Sequence, residues 1–318
     1  MIRRGLYSWL SCYLFAASPP SGYFMSLTPL SGANHPLKGI GLMVLATFLF
    51  ASHDAMSKYL SGFYPIILIV WARYLVHTLL MAGIFLPQSG LRVLRTKRPG
   101  LQVLRALCLL GVSLLFTTGL MFIPLAEATS VIFLAPLLVT ALSVPLLGER
   151  VSAGQWAAVI VGFVGVLIIV HPGGSLFTPA VLLPLSAALC FSCYQILTRR
   201  LSEVDSATTS NFFAGLVNTL VMSLLVPFFW HVPSLTHGLM MLALGGCGMA
   251  AHLLLTHAFR HAAPALLAPF GYVQIVFAGL LGLLVFQHKP DTTAMIGILI
   301  ICLSGLAAAW QNRKQPRK

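Results

Sequence analysis

The sequence predicts an all-α polytopic membrane protein of about ten transmembrane helices, arranged as two inverted five-helix repeats, and three observations predict it. Only 8% of the 318 residues are charged while 58% are hydrophobic, and mean hydropathy is +0.93. The apolar residues are gathered in ten runs of bilayer-spanning length. Segments of the first five runs echo the second five at a near-constant spacing.

Composition sets the class. A soluble domain keeps roughly a quarter of its residues charged so that water wets its surface. This chain cannot cover itself that way and must present apolar surface to a lipid bilayer. Its net charge of +13 does not call for nucleic acid, because the basic residues form no single domain or stripe. They sit in short loops between apolar runs, as expected of an integral membrane protein. The six cysteines, Cys12, Cys108, Cys190, Cys193, Cys247 and Cys302, all fall in apolar stretches. Cys190 and Cys193 make a C-x-x-C, but without a second pair or a neighbouring histidine they read as small buried hydrophobes. No metal and no cofactor is expected.

The runs cover residues 39–58, 64–86, 103–122, 126–147, 152–171, 178–198, 207–230, 236–258, 264–286 and 293–310. Pro, Gly or charge punctuates them: Pro87-Gln88-Ser89-Gly90, Gly148-Glu149-Arg150, His171-Pro172-Gly173-Gly174, Arg199-Arg200 and His288-Lys289-Pro290-Asp291. Such clusters end helices. Helices are required, since neither loops nor open sheet edges survive facing lipid. Residues 1–37 form an N-terminal extension. Its Met1 to Ala17 has a basic start and an apolar run too short to span, like a signal-peptide core. An overcalled start ahead of Met25, a cleaved signal and a surface-lying segment all remain open for it.

With the N-terminus in the cytoplasm, sixteen of the nineteen basic residues fall on the cytoplasmic side. Only Lys58 and Lys289 fall outside, and Arg73 lies within the second span. This asymmetry predicts an even number of spans with both termini cytoplasmic, in a bacterial inner membrane.

Phe48 to Lys58 lies over Leu189 to Arg199 at an offset of 141, and Ala126 to Leu147 echoes Ala265 to Phe286. The repeats are expected over 38–172 and 177–311, with a basic tail over 312–318. Five spans is an odd number, so the second repeat starts on the opposite side of the membrane. Inverted repeats are a recurrent basis for alternating access, with a site near the midplane between them.

The same residues resemble the EamA domains of the drug/metabolite transporter superfamily. The resemblance rests on Ser52-His53-Asp54-Ala55-Met56-Ser57-Lys58, on Trp71-Ala72-Arg73-Tyr74, and on Pro136 leading to Gly148-Glu149-Arg150. In the second half it rests on Ala268-Pro269-Phe270-Gly271-Tyr272-Val273-Gln274. It implies a ten-helix secondary carrier whose cavity is lined mainly by helices 1, 3, 4, 6, 8 and 9, with helices 5 and 10 peripheral. One departure stands out: the acid expected at the end of the ninth helix is absent, and Gln287-His288-Lys289 stands in its place.

Ionisable groups in the hydrocarbon are costly and mark function by default. Asp54 and Lys58, four apart, share a face of the first helix. Arg73 needs an acceptor, and Asp54 is the obvious one. The three read either as a charge network for substrate and access or as an ion cluster that fixes packing. Asp54 is also a candidate carrier of a coupling proton. Glu127 opens the fourth span, where a solvated helix N-terminus readily holds a carboxylate, or where it takes part in gating with Pro136, Glu149 and Pro269. His252 and His257 are five apart and do not share one face; each reads as a packed neutral imidazole or as a proton relay. Tyr194, Gln195, Tyr272 and Gln274 offer hydrogen bonds and ring faces suited to an organic solute.

An integral-membrane enzyme is the rival class, but no nucleophile motif, no His pair of metal spacing and no acid cluster is present. The expected partners are a small-molecule substrate and the bilayer, with the chain monomeric or homodimeric. Export of an amino-acid-like or carboxylate-bearing metabolite, opine-type metallophores included, is the first expectation. Uptake of a vitamin or nucleoside-type compound, such as riboflavin or S-adenosylmethionine, is the second.

Overall fold

Backbone N–H and C=O groups in hydrocarbon have no water to bond, so each apolar run must satisfy them internally. In the computed structural model, which describes residues 36–147, 151–171, 178–262 and 264–314, every regular element is helical. Twelve α-helices build ten spans: α1 (Pro36–Ser61), α2 (Ile66–Ser89), α3 (Pro99–Phe122), α4 (Leu125–Ile132) with α5 (Ala135–Leu147), α6 (Ala153–Ile169), α7 (Leu182–Leu201), α8 (Ala207–Leu225), α9 (Leu235–His261), α10 (Pro264–Gly271) with α11 (Val273–Phe286), and α12 (Thr292–Lys314). Nine spans reach 18 residues or more, and α6 has 17, still within the range that crosses a bilayer. Apart from Pro36 and Leu37, the N-terminal extension lies outside the described residues, as does Glu149.

Local chemistry sets the ends. Ser152 caps α6 in a reciprocal capping box with Gln155, and Ser206 and Ser234 cap α8 and α9 by accepting from Thr209 N and His237 N. Such caps satisfy donors that a helix start leaves orphaned. Gln287 ends α11 in the left-handed region, with φ 53°.

The fourth and ninth spans, which occupy equivalent places in the two repeats, are both broken. Phe133 and Leu134 separate α4 from α5, and Leu137 N bonds Leu134 O at 2.9 Å instead of continuing the four-residue ladder. Pro269 lies inside α10 and has no N–H to give; three residues later the helix breaks at Tyr272, whose N bonds Pro269 O at 3.3 Å. Proline removes one ladder bond and crowds the preceding turn. Irregular backbone at membrane depth survives only where protein or a cavity covers it.

Helix pairing follows the repeat. α1 packs along α9 as its counterpart α7 packs along α3; α2 lies on α9 as α8 lies on α3; α1 lies on α11 as α7 lies on α4 and α5. Three pairs join equivalent spans to each other: α2 with α8, α6 with α12, and the fourth with the ninth, where α4 meets α11. Where α2 meets α8, Thr78 Oγ1 lies 3.0 Å from Thr219 Oγ1, and these threonines are separated by the same 141 residues as the sequence echo. α6 and α12 approach so closely that a Cβ on Gly297 would sit 2.6 Å from Gly165 O, the small-residue contact typical of membrane helices. One contact breaks the symmetry. α1 also leans on α3, and α7 makes no contact of like extent with α9.

Candidate functional site

The pairing leaves a cavity of about 870 Å³ between the repeats, reached from one end of the bundle. Its wall runs from Arg73, Phe116 and Gln274 in mid-bundle to Ser202, Asp205 and Ala207 at the α7–α8 turn. The middle of α1, the middle of α3, the C-terminal halves of α7 and α9, and the two helix breaks supply most of the remainder. α6 and α12 contribute nothing to it, in keeping with peripheral packing.

Asp54 and Arg73 both line this cavity, but they do not pair. His53 Nδ1, in the tautomer the carboxylate selects, donates to Asp54 Oδ1 at 3.0 Å, and Gln274 Nε2 donates to Asp54 Oδ2 at 3.2 Å. The adjacent imidazole and the facing amide therefore take the acceptor expected for Arg73. Arg73 Nη1 instead donates to Ser113 Oγ at 3.1 Å, with the Tyr74 ring 5.1 Å from its guanidinium carbon. A guanidinium carries five donors, so most of those on Arg73 have no protein partner among the described residues.

Lys58 leaves the expected network altogether. Its ammonium donates to the carbonyls of Leu120 and Ile123 at the end of α3 and lies 5.6 Å from the Phe286 ring. Four residues bring Lys58 onto the face of Asp54 but raise it about 6 Å along the helix, beyond the cavity floor. Glu127 lies near enough for its charge to act on Lys58, but the two form no ion pair. Glu127 is not solvated: it is 2% exposed, and Glu127 Oε1 accepts from His288 Nε2 at 2.9 Å. The α3–α4 turn and the α11 end close over it. Glu127 Oε2 is buried without a partner. The histidine standing where the family's acid is expected thus faces an acid supplied by the fourth span, and this end of the bundle is sealed.

The structure brings Asp54, Arg73, Tyr194, Gln195, His252, Gln274 and Pro136 to one cavity. It leaves out Lys58 and Glu127, which lie at the sealed end with other partners, and His257, which is exposed. Tyr272 is also left out: its ring packs on Phe133 and Gly305, with its hydroxyl buried and unpartnered.

Other residues join the site. Arg105, 1% exposed, donates to Thr198 Oγ1 at 2.6 Å, to Ser210 O at 2.8 Å and to Tyr194 Oη at 2.7 Å, tying α3 to α7 and α8. A span opening at 103 leaves Arg105 among the basic residues at its cytoplasmic edge, whereas the helix starts at Pro99 and carries Arg105 about one and a half turns further in. His77 and His252 face each other with ring centroids 6.2 Å apart. The helical signal for His77 is its position one turn beyond Arg73. At the open end, Asp205 accepts from Thr96 Oγ1, from Gln102 Nε2 at 2.8 Å and from Lys97 N at 3.2 Å. Burial pushes the Asp205 carboxyl upward, but these hydrogen bonds and the Lys97 charge outweigh it and hold the group below the ordinary carboxylate range.

Such an arrangement offers binding and passage, with an open end, a closed end and a polar mid-bundle floor. The EamA-like transporter family matches over residues 37–171 and 178–309. An S-adenosylmethionine uptake transporter of Rickettsia bellii is 28% identical over 88% of this chain and 96% of its own length. A riboflavin transporter of Vibrio cholerae is 28% identical over 91% and 99%, and the pseudopaline exporter CntI of Pseudomonas aeruginosa is 29% identical over 85% and 95%. A solved crystal structure superposes with a TM-score of 0.61 at 23% identity, covering 88% of this chain and 98% of the other, a likeness of fold. Both halves of the chain match the family, the relatives it resembles are transporters and not enzymes, and the chain belongs to the EamA-like transporter family.

Proposed function

We propose that this small-metabolite transporter works by alternating access, with a carboxylate-bearing metabolite held at Arg73 and the cavity open to the cytoplasm. The observation that carries the reading is the Arg73 guanidinium, set in a mid-bundle cavity with a serine hydroxyl as its one hydrogen-bond partner among the described residues. A cation with spare donors at membrane depth is expensive unless something anionic visits it. The open end carries Lys97, Arg199 and Arg200 while the sealed end carries Lys58 and Lys289, and this basic excess supports a cytoplasmic open end with both termini on that side. Export of an amino-acid-like or carboxylate-bearing metabolite, opine-type metallophores included, is our first reading, and the resemblance to a pseudopaline exporter supports it. Uptake of a vitamin or nucleoside-type compound is the second, supported by the relatives named for S-adenosylmethionine and riboflavin. Asp54, buried on α1 between His53 and Gln274, is the proposed proton carrier.

The test is flux of a pooled, labelled metabolite set into and out of liposomes holding the purified chain, with and without an inward proton gradient. Solute movement that is lost in Arg73→Gln supports a carrier. A full gradient response in Asp54→Asn refutes proton coupling through that residue. A broad pool in which nothing moves under any gradient removes the transport reading.

A further inference from the structure

The cavity is lined by Phe50, Phe116, Phe133, Phe191, Tyr194 and Phe259, and several of these rings are held in place by their own neighbours. Phe191 and Tyr194, one turn apart on α7, lie nearly parallel, with centroids 5.8 Å apart and planes 13° apart. The Arg105 guanidinium lies 4.4 Å from the Tyr194 ring centre and donates to its hydroxyl at 2.7 Å. Tyr194 is buried, while Phe191 is only half-buried. The result is a pair of parallel rings set in the cavity wall, with the Tyr194 ring fixed by Arg105. Across the cavity, Phe50 stands edge-on to His252 at 5.1 Å and 82°.

Arg73 belongs to the same neighbourhood. It lines a small recess at the cavity floor together with Tyr194, His77, Asn211 and His252. A guanidinium with spare donors therefore sits beside a pre-aligned ring platform. An aliphatic solute would gain only area from such a wall. A flat ring gains area and the face-to-edge electrostatics of aromatic pairs, and a platform already fixed loses little freedom when it binds. The volume suits a solute of drug-like size.

We infer that the transported solute carries a flat aromatic or heteroaromatic ring system together with an anionic group, the ring stacked on Phe191 and the anion held by Arg73. This rests on the transport reading above. A carboxylate and a phosphate share the chemistry Arg73 recognises, so the test treats them separately.

Liposomes containing the full chain are given an equal-concentration pool in classes: aromatic carboxylates, nucleotides, nucleosides, aliphatic carboxylates, sugar phosphates and sugars. Flux should be confined to one or both of the first two classes. Phe191→Leu should reduce it about tenfold, the lower range of a lost stacking contact, and Phe191→Tyr should restore it. Flux of aliphatic carboxylates, sugar phosphates or sugars as fast as any ring-bearing anion overturns the inference while leaving a transporter. So does unchanged flux in Phe191→Leu. If that variant does not fold, the comparison of classes in the wild-type chain decides alone. No flux in any class removes the transport reading and the inference with it.

Discussion

Replacing Glu127 with Gln should loosen the sealed end of the bundle. The side chain is 2% exposed, and its carboxylate faces His288 at 2.9 Å near the Lys58 ammonium, which otherwise has only backbone carbonyls and a ring for partners. Glutamine keeps the shape and one acceptor oxygen, so packing and the neutral part of the hydrogen bond survive. What is lost is the charge assistance, the difference between about 1 kcal/mol for a neutral hydrogen bond and about 1.5–3 for a charged one. Removing the negative charge that acts on the Lys58 ammonium from nearby adds to this in the same direction. A combined loss of about 1.5 kcal/mol shifts the closed-to-open ratio of that end roughly tenfold. Amide hydrogen exchange of the full chain in nanodiscs reads this ratio over the α3–α4 turn and the end of α11. Exchange there should rise about tenfold in Glu127→Gln, with α6 and α12 unchanged as an internal control. His288→Ala should produce a rise of similar size. If exchange at the sealed end is the same in Glu127→Gln as in the wild type, the pair does not hold that end shut.

At the open end, Asp205→Asn should cost about 1 kcal/mol at neutral pH, a modest figure because the group is partly exposed and screened. Since the folded protein depresses the Asp205 pKa, its stabilising effect is present above the ordinary value of about 4 and fades as pH falls through the lower folded value. Thermal unfolding should thus separate the two proteins at pH 7 and bring them together on acidification; a gap that widens in acid refutes this. Gly297→Ala should lower the melting temperature by an amount equivalent to about 1–3 kcal/mol, because its Cβ would meet Gly165 O at 2.6 Å, whereas Gly41→Ala, with nothing within 4 Å, should cause no loss. Arg105→Met orphans neutral acceptors on α7 and α8 and should cost about 1–3 kcal/mol; Arg105→Lys should rescue little, since an ammonium cannot reproduce the planar fork, and equal melting of Arg105→Lys and wild type contradicts the clamp.

Which of these features a reader of the sequence can find follows from what hydropathy encodes. Apolar run length fixes the ten spans, and the 141-residue echo reappears as the Thr78–Thr219 contact. The breaks in the fourth and ninth spans are foreshadowed by Pro136 and Pro269. Facing and depth are less legible. His252 and His257 are five residues apart, or about 140° around a helix, so one lines the cavity and the other does not. Hydropathy cannot tell which. Arg73 lacks the partner assigned to it because the competing donors to Asp54 are a sequence neighbour, His53, and a residue 220 positions away, Gln274. Glu127 reads as solvated because a helix start near a membrane surface normally is. The segment after α11 that covers it leaves no periodic trace in the sequence.

The pattern in which α1 lies on α9, α3 on α7 and α6 on α12 has a consequence for how the chain is made. Its main interfaces join the first half to the second rather than forming within either. A ribosome extends a chain at roughly 5–20 residues per second, and about 200 residues separate the first span from the one it packs along. The opening helices therefore wait some tens of seconds in the membrane with Asp54, Arg73 and Arg105 not yet enclosed. Biogenesis of this protein depends on whatever shelters those groups at the insertion site until the later helices arrive. The two halves expressed as separate polypeptides should each be short-lived alone and persist together.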